Sequence, residues 1–272
     1  MKIRLLVFLI ATFVFCSAAA KAHDYWLKPD NFFVPANSQI KVKMFVGSWL
    51  VVEEERPFQA ARIPVLDLFA QNSTIDLLKT SPPAENALPA VTFNVGSAGN
   101  YLLAMERSPA LINLETDKFT AYLREEGLEK IIAEREKLGE ATDFGRERYQ
   151  RYLKMLIQVG DRHDKTFRRV VGQKLEIVAL SNPYQKKIND TIRFRVYFDG
   201  KPLVGALLFA LNQNNQQVFQ QQKRTDRHGE AAFTIDKNGF WLIRIVEMRR
   251  CAENCKSVDW DSYWGAYGFG VK

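Results

Sequence analysis

The strongest constraint on the fold is a series of short segments in which apolar and polar residues alternate. Residues 191–198 are the clearest case, because they end at Asp199-Gly200, a dipeptide typical of hairpin turns. An alternation of period two places the apolar side chains on one face of a strand. Strands at this regular spacing, with no helical pattern between them, predict a β-sandwich module. The other strands predicted in this module are residues 172–180, 205–211, 231–235 and 240–246.

The N-terminal part of the chain shows a similar pattern. Residues 39–46 alternate cleanly before Gly47, and a turn at residues 96–100 separates two further apolar runs. These features predict a second β-rich module over residues 23–108. Its predicted strands are residues 39–46, 63–69, 90–95 and 101–105.

Residues 109–170 have a helical pattern instead, since apolar residues recur three and four positions apart. Three helices are predicted, and the third covers residues 144–158 with a charged face that includes Arg146, Arg148 and Arg151. The apolar positions that predict the three helices are Leu114, Phe119, Tyr122 and Leu123, then Leu128, Ile131 and Ile132, then Tyr149, Tyr152, Leu153 and Leu156.

The predicted fold class is therefore mainly β with a helical insertion. Two β-sandwich-like modules, the second immunoglobulin-like, are joined by the three-helix segment. The predicted organisation is a leader over residues 1–22, an N-terminal module over 23–108, the helical segment over 109–170 and a C-terminal module over 171–272.

The leader has the three parts of a secretory signal peptide. Lys2 and Arg4 precede an apolar run over residues 5–16, and an A-x-A cleavage motif ends at Ala22. A membrane anchor is the alternative, but a span needs about 20 apolar residues and this run is shorter. We therefore expect cleavage after Ala22, a mature chain that begins at His23, and a periplasmic location.

Cleavage would leave 272 − 22 = 250 residues and would lower the Lys and Arg count from 38 to 35 against 31 acidic residues. The formal net charge would fall from +7 to 35 − 31 = +4. A small surplus spread along the chain does not favour a nucleic-acid partner. No later segment is apolar enough to cross a membrane, so the mature chain is not expected to be membrane-embedded.

Two cysteines, Cys251 and Cys255, follow the predicted cleavage site. In an oxidising compartment this spacing favours a disulfide between them. A dithiolate site for a soft metal is the alternative, but no histidine or further cysteine flanks the pair.

Sequence motifs for catalysis are scarce, and we expect a protein that is not an enzyme. The chain has no G-x-S-x-G, no phosphate-binding glycine loop and no HExxH. The sharpest feature is His23, because cleavage before it would give one residue a free α-amine as well as an imidazole. Together these groups can chelate one transition-metal ion, and imidazole nitrogen suits nickel, cobalt and copper. A frayed first residue of a strand is the alternative.

The other two histidines are weaker candidate ligands. His163 lies in a charged linker, and His228 lies in a turn that ends at Gly229. A copper oxidase with an N-terminal histidine is disfavoured, because it needs a second histidine and neither residue is well placed by sequence.

Several motifs also resemble those of the domain of unknown function 4198 family, over essentially all of residues 23–272. The motif at residues 119–128 is the most specific. The motifs lie at residues 23–29, 118–128, 145–149, 182–184, 199–202, 225–229 and 260–269.

Members of that family are exported bacterial proteins associated with nickel or cobalt uptake. The resemblance thus implies a periplasmic accessory protein that binds a transition metal and has a membrane metal-uptake system as its partner. Relatives often carry histidines where this chain has Ser48 and Glu247, so Glu247 is an expected oxygen ligand and the nitrogen ligand set is thinner.

A second hypothesis is a non-catalytic β-sandwich module that binds a carbohydrate or a protein in the periplasm. It rests on the aromatic residues Trp260, Tyr263, Trp264 and Tyr267. Aromatic rings on a surface can form such a platform, but packing in the core is the alternative role for them.

Overall fold

The computed structural model describes residues 23–272, so the predicted leader with Cys16 lies outside the described residues. The described chain is built mainly of β-strands, and three short α-helices lie between them. The helices are α1 (Leu77–Thr80), α2 (Thr116–Glu125) and α3 (Glu129–Lys137). The strands are β1 (Asp24–Pro29), β2 (Phe33–Val34), β3 (Gln39–Ser48), β4 (Val51–Arg56), β5 (Val65–Ala70), β6 (Ser73–Asp76), β7 (Val91–Asn94), β8 (Gly99–Leu114), β9 (Gly145–Val159), β10 (Leu175–Ala179), β11 (Thr191–Phe198), β12 (Lys201–Pro202), β13 (Leu207–Asn214), β14 (Gln217–Arg224), β15 (Glu230–Thr234), β16 (Gly239–Arg250) and β17 (Trp260–Val271).

The strands form three sheets. The central sheet has the order β14-β13-β16-β17-β9-β8-β5-β6, with β2 pairing beside β9. It is antiparallel except where β9 pairs in parallel with β17 and β2. Strands from both halves of the chain therefore hydrogen-bond in one sheet. An N-terminal sheet consists of β1, β3, β4 and β7, and a C-terminal sheet consists of β10, β11, β12 and β15.

The central sheet is covered on both faces. On β9, Leu153, Met155 and Ile157 pack under the N-terminal sheet, whereas Tyr152 and Leu156 pack under the C-terminal sheet. Side chains alternate across a strand, so one strand contributes to both cores. Burial on both faces explains why the second half of β9 reads as a nearly continuous apolar run.

Helices α2 and α3 cover the rest of the face that carries the N-terminal sheet. Phe119, Leu123 and Ile131 pack there against Val246 and Met248 of β16. A seam therefore runs between the N-terminal sheet and the two helices, and polar side chains of the central sheet lie in it.

The third predicted helix is wrong, since residues 144–158 fall almost entirely in strand β9. The charged residues that suggested a solvated helix face instead form ion pairs with residues at and just before the start of β17. The Arg146 Nε–Asp259 Oδ2 distance is 2.7 Å, and the Arg148 Nε–Asp261 Oδ1 distance is 2.6 Å. These partners are distant in sequence, and they stabilise the strand. The local spacing of apolar residues therefore carries no information about them.

The mainly β fold class with a small helical insertion is confirmed. Residues 191–198 form β11 as predicted, and the first two predicted helices are α2 and α3. The helical insertion itself is shorter than predicted, because β8 extends into it to Leu114 and β9 begins at Gly145.

Candidate functional site

His23 lies at the rim of the N-terminal sheet, directly before β1. The strand behind it is firmly anchored, because Trp26 and Leu27 are each only 1% exposed. Strand β1 pairs antiparallel with β3, and Asp24 lies opposite Gly47. The His23 side chain is held on an ordered strand and is 41% exposed.

The hairpin between β3 and β4 brings a carboxylate to this histidine. The Glu53 Oε2 atom is 2.7 Å from His23 Nε2, and Ser48 Oγ donates a hydrogen bond of 3.2 Å to Glu53 Oε1. Ser48 is the position where relatives were expected to carry a histidine. This position lies beside His23, because the next residue, Asp24, is opposite Gly47. We call His23, Ser48 and Glu53 the N-terminal site.

Gly47 explains why the chain can make this hairpin. The pairing of β3 with β4 shifts register between Val46 and Gly47, which marks a β-bulge. A Cβ atom at Gly47 would lie 1.9 Å from the carbonyl oxygen of Val51. Only glycine allows this backbone approach, and the bulge directs Glu53 towards His23.

A buried charged triad of Asp24, Glu126 and Arg244 lies beneath the N-terminal site. Arg244 Nη1 donates a hydrogen bond of 2.7 Å to Glu126 Oε2, and Arg244 Nε lies 3.3 Å from Asp24 Oδ1. The three side chains are at most 7% exposed. Burial raises the pKa of Asp24 and Glu126, and the nearby guanidinium opposes that rise.

The turn after β3 closes over the triad. The Trp49 ring stacks on the Arg244 guanidinium, with 4.5 Å from Cζ to the ring centre. The Trp49 backbone N–H donates to Asp24 Oδ2 at 3.4 Å, and its indole N–H donates to Glu125 Oε1 at 2.8 Å. The triad and Trp49 thus connect β1, β16 and the end of α2, and they fix the residue that follows His23.

A second acidic group, Glu147, is buried in the same seam. Tyr122 donates a hydrogen bond to it at 3.3 Å, and the hydroxyl of Ser262 also contacts it. Burial raises the pKa of Glu147 to about 7, against the opposing effect of these hydrogen bonds. With a pKa of about 7, Glu147 is a carboxyl group of the seam whose charge changes near neutral pH.

The other predicted ligands lie apart from His23. Glu247 is 1% exposed and is paired with Lys130 and Arg249, at 2.6 and 2.7 Å. It lies three residues from Arg244 on β16, so its side chain is on the opposite face of the sheet. Two cations already neutralise this carboxylate.

The two remaining histidines occupy separate places. His163 Nδ1 is 3.0 Å from Gln158 Oε1, beside a groove of about 720 Å³. His228 lies in an exposed turn, where its Nε2 accepts a hydrogen bond from Arg227 Nε at 3.1 Å. Within residues 23–272 no three His, Cys, Asp or Glu side chains converge as a preformed metal group.

Two further predictions concern the C-terminal segment. The disulfide between Cys251 and Cys255 is confirmed. Trp260, Trp264 and Tyr267 are buried, at 1%, 7% and 0% exposure, so these rings belong to the core.

No helix in the described part of the chain has the length and apolar character to cross a bilayer.

Comparison with known families identifies the chain. The profile of the family described as "Domain of unknown function (DUF4198)" matches residues 20–248. The chain belongs to the DUF4198 family. The family resemblance read from the sequence is thereby confirmed. No curated protein matches this DUF4198 chain.

Solved structures show only distant similarity to the DUF4198 chain. A DUF4785 family protein from Legionella pneumophila is 10% identical, with a TM-score of 0.24, and the match covers 82% of this chain and 51% of that one. Escherichia coli alpha-2-macroglobulin is 8% identical, with a TM-score of 0.22 and coverage of 92% and 20%. Three N-terminal domains of the bacteriophage RB49 outer capsid protein Hoc are 11% identical, with a TM-score of 0.19 and coverage of 90% and 59%. The chain thus spans about half the length of the first of these proteins.

Glu53 and the charged triad were not predicted from the sequence. Glu53 lies in the run Val-Val-Glu-Glu-Glu-Arg over residues 51–56, where alternation does not single out one carboxylate. Asp24, directly after His23, was the available signal, since a carboxylate that is buried on a strand is usually paired with a cation.

Proposed function

We propose that this DUF4198 protein is exported to the periplasm, where it binds one transition-metal ion as an accessory to a membrane metal-uptake system. Nickel and cobalt are the first candidates, and copper is the third. The observation that supports the proposal most is the contact between His23 Nε2 and Glu53, on a histidine that is anchored yet exposed.

The contact selects which imidazole nitrogen is available to a metal. A carboxylate at Nε2 favours the tautomer that carries its proton there, which leaves the Nδ1 lone pair as the acceptor. Nδ1 is also the nitrogen that can share a small chelate ring with the α-amine of the same residue. Carboxylate–imidazole–metal arrangements of this kind orient the ring and raise its basicity.

The surrounding contacts hold the backbone of His23 in place. Arg151 Nη2 donates a hydrogen bond of 3.3 Å to the His23 carbonyl oxygen, and Asp24 is tied to Arg244. A chelate formed by a restrained residue loses less conformational entropy than one formed by a frayed terminus.

The donor set fits a nitrogen-preferring ion with open coordination positions. An amine and an imidazole suit nickel, cobalt and copper better than magnesium or calcium, which prefer oxygen. Two nitrogen ligands leave coordination positions for water or for a ligand from a partner. Such a site suits a protein that hands a metal over rather than one that stores it.

Two measurements test the proposal. Mass spectrometry and N-terminal sequencing of the exported protein should give a chain that begins at His23. Isothermal titration of that chain with Ni(II), Co(II) and Cu(II) should show one site, which His23→Ala removes. The matched control His228→Ala changes an exposed histidine elsewhere and should bind as the unchanged chain does. Equal loss in both variants, or no binding by the unchanged chain, would contradict the proposal.

The carbohydrate- or protein-binding alternative has less support. Its aromatic residues are packed against neighbours, as in the stack of Tyr122 on Trp264 with ring centres 5.8 Å apart. An exposed aromatic platform would have favoured it.

A further inference from the structure

Two arginines, Arg107 and Arg151, lie directly opposite each other on β8 and β9. Both point into the seam beneath the N-terminal sheet, and both stack on the ring of Tyr25. The distances from guanidinium carbon to ring centre are 5.0 Å for Arg107 and 4.1 Å for Arg151. We call these two residues the arginine pair.

The position of the arginine pair destabilises the folded state. Like charges directly opposite each other on neighbouring strands repel, and burial removes the water that would screen them. Arg107 is only 7% exposed. Burial lowers the pKa of Arg107, and the charge of Arg151 lowers it further, as do those of Arg62 and Arg56.

The few hydrogen bonds of the pair leave most of its donors unused. Arg107 Nη1 points to the thioether sulfur of Met44 at 3.3 Å, which is a weak acceptor. Arg151 Nη2 donates to the carbonyl of His23, and Arg151 Nε is buried with no partner. Among residues 23–272 neither guanidinium has a carboxylate within ion-pair distance.

Two other buried cations of this protein contact carboxylates, and a third, Arg135, donates hydrogen bonds to the backbone carbonyls of Glu140 and Asp143. Lys154 Nζ contacts Glu176, and Arg244 is held by the carboxylates of the triad. Glu147 and Asp24 act on Arg151 through space, but each is already engaged by another partner. Among the described residues, the arginine pair has neither a contacting carboxylate, as Lys154 and Arg244 do, nor the two backbone acceptors that Arg135 has.

The pair also has a positively charged approach from solvent. Arg62 is exposed, and the Arg56 side chain is 42% exposed and pairs with Glu54, with 3.0 Å between Arg56 Nη2 and Glu54 Oε2. Both lie near enough to act on the charge of Arg107. Positive charge at the opening of a half-buried site attracts anions and raises their local concentration.

We propose that the arginine pair binds a small oxyanion, that is, the carboxylate of an organic acid or a phosphate or sulfate ion. An oxyanion supplies the acceptors that the two guanidinium groups lack, and the planar donors of arginine match its oxygens in pairs. The Tyr25 ring contacts both guanidinium groups, and the anion would neutralise their charge. This site is distinct from the proposed metal site, although Arg151 contacts both.

Isothermal titration of the metal-free chain with citrate, phosphate and sulfate, at ionic strength held constant with chloride, tests this proposal. We expect saturable binding of at least one anion and a matching rise in melting temperature. The anion that shows saturable binding identifies the ligand class as an organic acid, phosphate or sulfate. Arg107→Gln and Arg151→Gln should each weaken that binding by about tenfold or more.

The matched control is Arg193→Gln, which removes an exposed arginine of β11 and should leave the affinity unchanged. A chain with one extra residue before His23 should still bind the anion, so failure of the metal proposal is distinguishable from failure of this one. If Arg107→Gln does not fold, Arg151→Gln carries the comparison. The proposal is overturned if the unchanged chain binds none of the three anions, or if Arg193→Gln weakens binding as much as the other variants do.

Discussion

Replacement of Arg244 by Met should expose how strongly the charged triad anchors the N-terminal strand. The change keeps much of the side-chain volume under Trp49 but leaves Asp24 and Glu126 without their cation. Removal of one partner from a buried ion pair costs about 3 to 5 kcal/mol. Two carboxylates are left here, both at most 7% exposed, so we expect a loss near 5 kcal/mol in the free energy of unfolding at pH 7.5.

The loss should depend on pH in a fixed direction. Burial already raises the pKa of Asp24 and Glu126, and removal of the guanidinium takes away the interaction that lowers both. The folded variant therefore binds more protons than the unfolded chain as the pH falls, so its stability rises towards acid. Between pH 7.5 and pH 5 the deficit should shrink by about 2 kcal/mol.

Urea unfolding followed by tryptophan fluorescence at the two pH values measures both effects. Arg193→Met on the exposed side of β11 is the control, and it should stay within about 0.5 kcal/mol of the unchanged chain. A loss below about 1 kcal/mol, or a deficit that grows as the pH falls, would refute the account of the triad.

Three further predictions concern the seam and the N-terminal site. Glu53→Gln should weaken metal binding by about tenfold, because it removes the carboxylate that orients the imidazole, and metal titration measures the change; unchanged affinity would mean that Glu53 plays no part. Glu147 has a pKa raised to about 7, so the stability it contributes is greatest below pH 4.5 and is lost as the pH rises to about 7. Glu147→Gln should remove roughly 3 kcal/mol of that pH dependence in melting experiments, and an identical pH profile would show that the pKa of Glu147 does not differ between the folded and unfolded chains. Gly47→Ala should lower the free energy of unfolding by about 2 kcal/mol or more, because its Cβ would lie 1.9 Å from the Val51 carbonyl oxygen. It should weaken metal binding as well. A stable variant with full affinity would show that the bulge is not required.

The strands with one exposed face could be predicted from sequence, and β9 could not. Strand β11 alternates between a buried and a more exposed face, so period two is visible in its residues. The second half of β9 is buried on both sides, and its apolar run fits a helix and a strand equally well. The parallel pairing of β9 with β17 joins segments about 110 positions apart, which local patterns do not encode.

Only part of the candidate site could be predicted from the sequence, because its other contacts join residues that are distant in the chain. His23 was identified because the predicted leader indicates where the mature chain is expected to begin. A β-bulge brings Glu53 to His23, 30 residues away, and the packing of the N-terminal sheet on the central sheet brings Arg244 to Asp24, 220 residues away. Glu247 was expected to be a ligand, but its contacts with Lys130 and Arg249 depend on the long-range register of the central sheet.

The most direct test of the central claim compares two forms of the mature chain, one that begins at His23 and one with a single glycine before it. The extra residue converts the α-amine of His23 into an amide and leaves every side chain in place. We predict that the first form binds one Ni(II), Co(II) or Cu(II) ion in isothermal titration and that the glycine form binds it at least about tenfold more weakly. Equal affinities would contradict the claim that the amine and imidazole of His23 hold the metal.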